Sequence, residues 1–341
     1  MPEVPSIHDL DDLREHLQWA IDLELSTLPP YLCALYTLDP ERNPEAAAVL
    51  RSVAVEEMLH ATLVANLLNM VGGRPHLDGS TLRRDYPQPL PHSNGTLQVS
   101  LLPFGHEAIE LFLSIERPAS AEAEPQTDGY ATIGQFYAAI MEGLLTLCHE
   151  LGEAAVFCGD PARQVIQTDF HGGAGHLAAI DSLATALEAL DEIVEEGEGM
   201  AHHEVWDGDR DIVHPDRNEV AHHYRFLELK LGRRFQPGDT PLSGPTGEAV
   251  AVDWDGVIPM RTNPRSTDHP AGSPARIAQL AFDAGYAKVL NLLHQTFDGD
   301  PPSLDAAVGA MYRLSPLAVN LLSAPTDDGL PAGPSFATVS D

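Results

Sequence analysis

The sequence predicts an all-α protein built on a four-helix bundle. Three observations carry this. Apolar residues recur every three to four positions through several long segments, while runs of strict apolar–polar alternation are scarce. The motif Glu-x-x-His occurs twice, at Glu57/His60 and at Glu219/His222, and nowhere else in the chain. The central helices are expected over 7–38, 43–72, 132–157 and 177–198, the last extended by 217–231.

The first helix is expected over Ile7 to Leu38. Ser6 or Asp9 can cap it, and Asp9, Asp11 and Asp12 suit its positive end. Leu13, Leu17, Ile21, Leu25 and Leu28 form its buried stripe. Glu24 falls within that stripe, where an unpaired carboxylate is costly, so it wants a cation, an arginine or a proton. A glutamate at the stripe's edge reaching water is the plainer alternative. Pro29-Pro30 predicts a kink or a broken turn.

The second helix organises the rest of the chain. Val49, Val53, Val64, Leu67 and Val71 share one face, and Gly72-Gly73 supply the stop. Glu57 and His60 sit in the middle of that face. Three residues apart, a carboxylate and an imidazole reach the same point, and in a core both must be paired or coordinated. A buried Glu–His hydrogen bond would satisfy them as well as a metal ion. Glu56 lies about 100° off this face and is expected outside the site.

Residues 74–102 are rich in Pro, Gly and polar groups and read as a long loop, with a short strand at Leu97–Leu101. A loop of that length usually covers a site or carries function. Phe104 to Ile115 suggests a short amphipathic helix, ended by Glu116-Arg117-Pro118, and Ala119 to Asp128 a mobile connection. In the helix at 132–157, Ile133, Tyr137, Ile140, Leu144, Leu147 and Leu151 form the stripe. Glu142 and His149 stand one flank over, so Glu142 is as compatible with water as with a ligand role.

Gly172-Gly173-Ala174-Gly175 lacks the spacing and the preceding strand of a dinucleotide loop. The fourth helix is expected from Leu177 to Glu198. Beyond it Asp207, Asp209 and Asp211 imitate a calcium loop, but Ile212 stands where glycine is required and Asn218 where glutamate is. Helix resumes at 217–231 with Glu219 and His222 on one face. The segment 235–270 reads as a linker, 274–297 and 304–322 as two more amphipathic helices packed outside the bundle, and GPSFATVSD as a tail. The division expected is a bundle over 1–235 and a linker with a C-terminal helical pair over 236–341.

Of 341 residues 43% are hydrophobic, enough for a packed core. No apolar stretch reaches 18 residues and the N-terminus lacks a basic-then-apolar leader, so the expectation is a cytoplasmic protein with no membrane span. Cys33, Cys148 and Cys158 cannot all pair and read as reduced. The net charge is −32, with Lys230 and Lys288 the only lysines. That argues against nucleic acid and anionic membranes as partners. It leaves homo-oligomerisation open.

A glutamate on one helix, Glu-x-x-His on the next, a glutamate candidate on the third and Glu-x-x-His on a later one is the ligand pattern of di-iron carboxylate bundles. Oxygen and imidazole donors suit iron or manganese, and the absence of thiolates argues against structural zinc. The sequence also resembles the ferritin-like family of the iminophenyl-pyruvate dimer synthase type, related to domains of violacein and rebeccamycin biosynthesis. The runs that carry the resemblance are HLQWAIDLELSTLPPYLCALYTL (16–38), VAVEEMLHATLVANLLNMVGGRP (53–75), YPQPLP (86–91), LQVSLLPF (97–104), IERP (115–118), IGQFYAAIMEGL (133–144), EEGEG (195–199), HHYRFLEL (222–229) and GPSF (333–336). The resemblance implies a ferritin-like fold and metal ligands at Glu24, Glu57, His60, Glu142, Glu198 and His222.

Spacing alone favours Glu219 over Glu198, since Glu219 and His222 repeat the Glu57/His60 arrangement. His223 lies about 100° from His222 and reads as packing. The function expected is a metal-dependent, di-iron oxidoreductase acting on a small, amino-acid-derived or other, molecule of secondary metabolism, with Tyr31 or Tyr36 lining the pocket. The alternative is a non-catalytic metal-binding or assembly protein.

Overall fold

The computed structural model describes residues 7–77, 85–120, 122–167, 175, 177–199, 204–211, 214 and 216–337. Helix dominates these residues, with strands confined to two short antiparallel pairs. Helix α1 (Leu10–Tyr36) starts at Asp9, whose carboxylate accepts from the amides of Asp11 and Asp12 at 2.9 Å each. Ser6, the other cap candidate, lies outside the described residues. The helix runs unbroken through Pro29-Pro30, so the broken turn offered as one alternative there does not occur. Each proline deprives a carbonyl four residues back of its donor, but Leu28 to Tyr31 are all buried, and packing holds the segment helical.

Helix α2 (Pro44–Met70) begins on a proline at its first turn, where the missing N–H is no loss. Gly72, at φ 76°, turns the chain out, and the Gly73 amide reaches back to the Leu68 carbonyl at 2.9 Å. After it come the two-residue strands β1 (Gln88–Pro89) and β2 (Gln98–Val99), paired within the expected loop. Helices α3 (His106–Ile115) and α4 (Ile133–Leu151) follow. The expected 132–157 helix is interrupted at Gly152, which adopts φ 83°, and continues as the short α5 (Glu153–Val156).

Helix α6 (Leu183–Glu198) starts later than expected, at a capping box made by Ser182 and Thr185. Strands β3 (Trp206–Arg210) and β4 (Asn218–Val220) then pair, and only after Ala221 does α7 (His222–Leu231) begin. Residues 217–221 are therefore not helical as expected, and Glu219 belongs to a strand. Helix α8 (Pro274–Phe297) agrees with expectation. The segment 304–322 divides into α9 (Leu304–Tyr312) and α10 (Leu314–Leu322), because Pro316 has no N–H for the Tyr312 carbonyl.

The packing forms a closed ring: α1 against α2 and α4, and α6 against α2 and α4. Helix α7 lies on α2, α3 and α6. Helix α8 lies on α2 and carries α9 and α10, so these three sit outside the ring. One continuous apolar core extends from Ile7 to Phe336, with a smaller cluster at Val205, Val220, Ala221, Tyr224 and Phe235. Among the described residues no helix is long and apolar enough to cross a membrane. The loop Gly172–Ala174, the residues Ile212 and Val213, and the last residues of the tail lie outside the described residues.

The end of α2 is locked by Gly159, whose amide donates to the Met70 carbonyl at 2.9 Å. A methyl group there would stand 1.9 Å from the Asn69 carbonyl oxygen. Gly159→Ala is therefore expected to cost about 1–3 kcal/mol. Gly105→Ala, whose methyl would meet nothing closer than 3.9 Å, serves as the control. Urea midpoints of the two variants test this, and equal losses would show that the Asn69 contact is not the cause.

Candidate metal centre

The side chains that could ligate a metal come from five helical elements. Glu24 projects from α1, Glu57 and His60 from α2, and Glu196 from the last turn of α6. Glu116 caps the C-terminal end of α3, and His222 is the first residue of α7. Each continues a buried apolar stripe of its element: Glu116 follows Phe112 at four residues, and Glu196 follows Ile193 at three. None of the six is more than 5% exposed.

Their donor atoms fall into three overlapping groups, each within 4.8 Å: Glu24, Glu57 and His60; Glu57, Glu116 and His222; and His60, Glu196 and His222. His60 Nδ1 stands 3.4 Å from Glu24 Oε2, and its Nε2 stands 2.7 Å from Glu196 Oε2. His222 repeats the pattern. Its Nε2 lies 2.9 Å from Glu56 Oε2, while Nδ1 faces Glu57 Oε1 at 3.1 Å and Glu116 Oε2 at 3.8 Å. The two rings are stacked, with centroids 5.5 Å apart.

His222 Nδ1 is buried yet has no hydrogen bond of acceptable geometry. A buried orphan among carboxylate oxygens is what a cation's binding place requires. The oxygen-and-imidazole donor set fits iron or manganese. Three hydroxyls complete the surround. Thr27 donates to Glu57 Oε2 at 2.7 Å, Tyr137 to Glu24 and Tyr31 to Glu116.

Behind His222 lies a second buried layer. The Arg225 guanidinium contacts Glu56 at 2.7 Å, Asp207 at 3.0 Å and Glu219 at 3.1 Å. Its Nε donates to the Val220 carbonyl at 2.6 Å. Glu56, expected outside the site from its position about 100° off the Glu57 face, is instead the link between His222 and Arg225. Burial pushes its carboxyl up, but Arg225 and His222 outweigh burial and hold it at about 2.

The structure brings Glu24, Glu57, His60 and His222 together and leaves two expected ligands apart. Glu142 is exposed on α4, because the buried stripe runs through Ile140 and Leu144 and turns Glu142 outward. Glu198 is buried, but its carboxylate accepts from the amides of Ala119 at 3.0 Å and Gly134 at 2.9 Å. It ties down both ends of the segment after Glu116. Glu219 faces Arg225 from strand β4. His223 lies outside the cluster, as its position predicts, and borders a cavity of about 520 Å³ with Ile115, Arg117 and Lys230. Tyr31 is in the centre itself, whereas Tyr36 lines a different, apolar cavity.

Two residues of the cluster are absent from the expected set. Glu116 sits in the IERP run, and Glu196 lies two positions before Glu198; in both, the signal was continuation of the apolar stripe.

So much buried carboxylate makes the metal-free chain sensitive to pH. Burial raises Glu57 to about 8, helped by the charges of Glu116 and Glu24. It raises Glu196 to about 7 and Glu219 to about 9. His60 is held at about 10, because Glu196 and Glu24 outweigh the opposing effect of burial. All four bind protons more tightly folded than unfolded, so their stabilisation is full at low pH and lost as pH rises through these values. The metal-free protein should therefore show a falling Tm between pH 6 and pH 9. Metal competes with those protons, so a divalent ion should raise Tm more at pH 9 than at pH 6. A Tm of the metal-free chain that climbs across this range would contradict the assignment.

Comparison with known proteins agrees with the helical fold. Dichlorochromopyrrolate synthase from Lentzea aerocolonigenes is 27% identical over 336 residues, a match covering 84% of this chain but only 29% of the synthase. The chain thus spans less than a third of that relative's length. The crystal structure of a ferritin-like protein from Caulobacter vibrioides superposes with a TM-score of 0.68 at 26% identity, covering 96% of this chain and 99% of that one. Residues 17–231, which contain every member of the buried cluster, match the ferritin-like family, and the chain belongs to it.

Proposed function

We propose that this protein is a metal-dependent oxidoreductase with an iron pair, manganese being the substitute, that acts on a small molecule of secondary metabolism. The observation that carries the reading is Glu57, which is shared by two donor triads. Each triad has its own histidine, and each histidine has a carboxylate on its far nitrogen. One ion would be held by Glu24, Glu57 and His60, the other by Glu57, Glu116 and His222. Glu198 and Glu142 have no part in this set.

Iron held by these residues would supply redox chemistry between dioxygen and an organic substrate. The protein's own groups prepare the place. Nε2–H of His60 donates to Glu196 and that of His222 to Glu56, which fixes both tautomers and turns each Nδ1 lone pair inward. Tyr31 and Tyr137 donate to Glu116 and Glu24 and set the direction of the remaining carboxylate oxygens. Thr27 does the same for Glu57. The cavity of about 520 Å³ beside Ile115 and His223 adjoins the elements carrying Glu116 and His222 and is the place for substrate. That one relative is a biosynthetic synthase supports a small-molecule substrate.

Metal analysis of the purified chain should find two ions, sharply reduced by Glu57→Ala or His60→Ala and unchanged by Glu142→Ala. Loss in Glu142→Ala equal to that in Glu57→Ala would refute the ligand set.

Glu56→Gln should weaken metal binding about 10- to 100-fold, since it disturbs the partner of a ligating histidine rather than a ligand. Wild-type affinity in that variant would remove Glu56 from the site. A metabolite screen with ferrous protein and dioxygen then tests function: the expected result is an oxidised product that appears only with substrate and is lost in Glu57→Ala. Dioxygen consumption without any such product would favour a non-catalytic metal-binding protein.

A further inference from the structure

Between α1 and α2 on one side and α8, α9 and α10 on the other lies a second cavity, of about 300 Å³ and partly open to solvent. Its walls are mostly apolar: Leu25, Leu28 and Leu32 from α1, Ala54 and Met58 from α2, and Leu290 from α8 are among them. It falls within the range of pockets that hold small molecules.

One cation belongs to the lining, Arg51 on α2. It is exposed, and among the described residues it has neither ion pair nor hydrogen bond. From Arg51 the lining continues along α2 through Ala54 to Met58, a run of about 10 Å at 1.5 Å per residue. Hydroxyls in the lining belong to Tyr36, Ser315, Tyr286 and Tyr312.

We infer that this cavity is a binding site for an amphipathic aliphatic monocarboxylate, a medium-chain fatty acid, with its carboxylate on Arg51 and its chain directed toward Met58. A guanidinium matches a carboxylate in charge and in fork geometry. The leucine and methionine walls adapt to a flexible chain. The 10 Å run matches the chain of octanoate or decanoate. The site is separate from the metal centre and stands whether or not the proposed oxidoreductase reading holds.

Calorimetric titration of the full chain with decanoate tests this, with decanol, decylammonium and hexadecanoate as comparison ligands. Decanoate should bind best. Arg51→Ala should lower its affinity about tenfold while leaving decanol unaffected. Ala54→Phe, which fills the cavity, should abolish binding of both, with helical content and metal content retained. Decylammonium or decanol binding as well as decanoate would overturn the role of Arg51. Undiminished decanoate binding by folded Ala54→Phe would overturn the site. So would the absence of decanoate binding, including the case in which light scattering shows a second copy of the chain covering the cavity.

Discussion

Burying carboxylates is the constraint to which the centre of this protein answers. Glu24, Glu56, Glu57, Glu116 and Glu196 are all withdrawn from water around two imidazoles and one guanidinium. A buried carboxylate without a partner is among the costliest groups a fold can contain. The four-helix ring therefore has to deliver positive charge, protons or hydroxyl donors to each of them. It does so in layers: tyrosine and threonine hydroxyls on one side, histidines between, and Arg225 behind. A cation in the middle is the simplest completion of that arrangement.

The layering also explains why β3 and β4 interrupt the chain before α7. The hairpin brings Asp207 and Glu219 against Arg225, so the guanidinium is balanced on several sides. Its Nε is anchored on the Val220 carbonyl just before the helix begins. The first residue of α7 is thereby fixed with its ring toward Glu57. A strand that looks incidental to a helical fold sets the position of a histidine.

The long helices and four of the six clustered residues were legible in the sequence. Glu24, Glu57 and His60 lie on helices of 27 residues, where a 3.6-residue period has many turns in which to declare itself. Glu116 and Glu196 were harder to read because both sit in last turns, where the stripe has few residues left and glycine or proline follows. Glu142 illustrates the opposite failure. It belongs to a strongly periodic helix, but the match to a ligand pattern outweighed its place beside the stripe rather than on it. Spacing alone favoured Glu219 over Glu198, but that spacing presupposes helix, and pairing of β4 with β3 decides otherwise. The Pro29-Pro30 step was read as a break because local propensity is visible in sequence and the packing that overrides it is not.

The two donor triads are mounted differently. Glu24, Glu57 and His60 all ride within the longest helices, which pack on each other along their lengths. Glu116 and His222 stand at element ends, one after the last turn of α3 and one at the first residue of α7. Helix interiors hold side chains to a narrower geometry than helix termini and loops do. The two halves are therefore unequal in stiffness, and an ion pair assembled on them would fill and empty in order. On the proposed ligand set, the half on α1 and α2 would take the first ion and keep it, and the half on α3 and α7 would exchange its ion with solution.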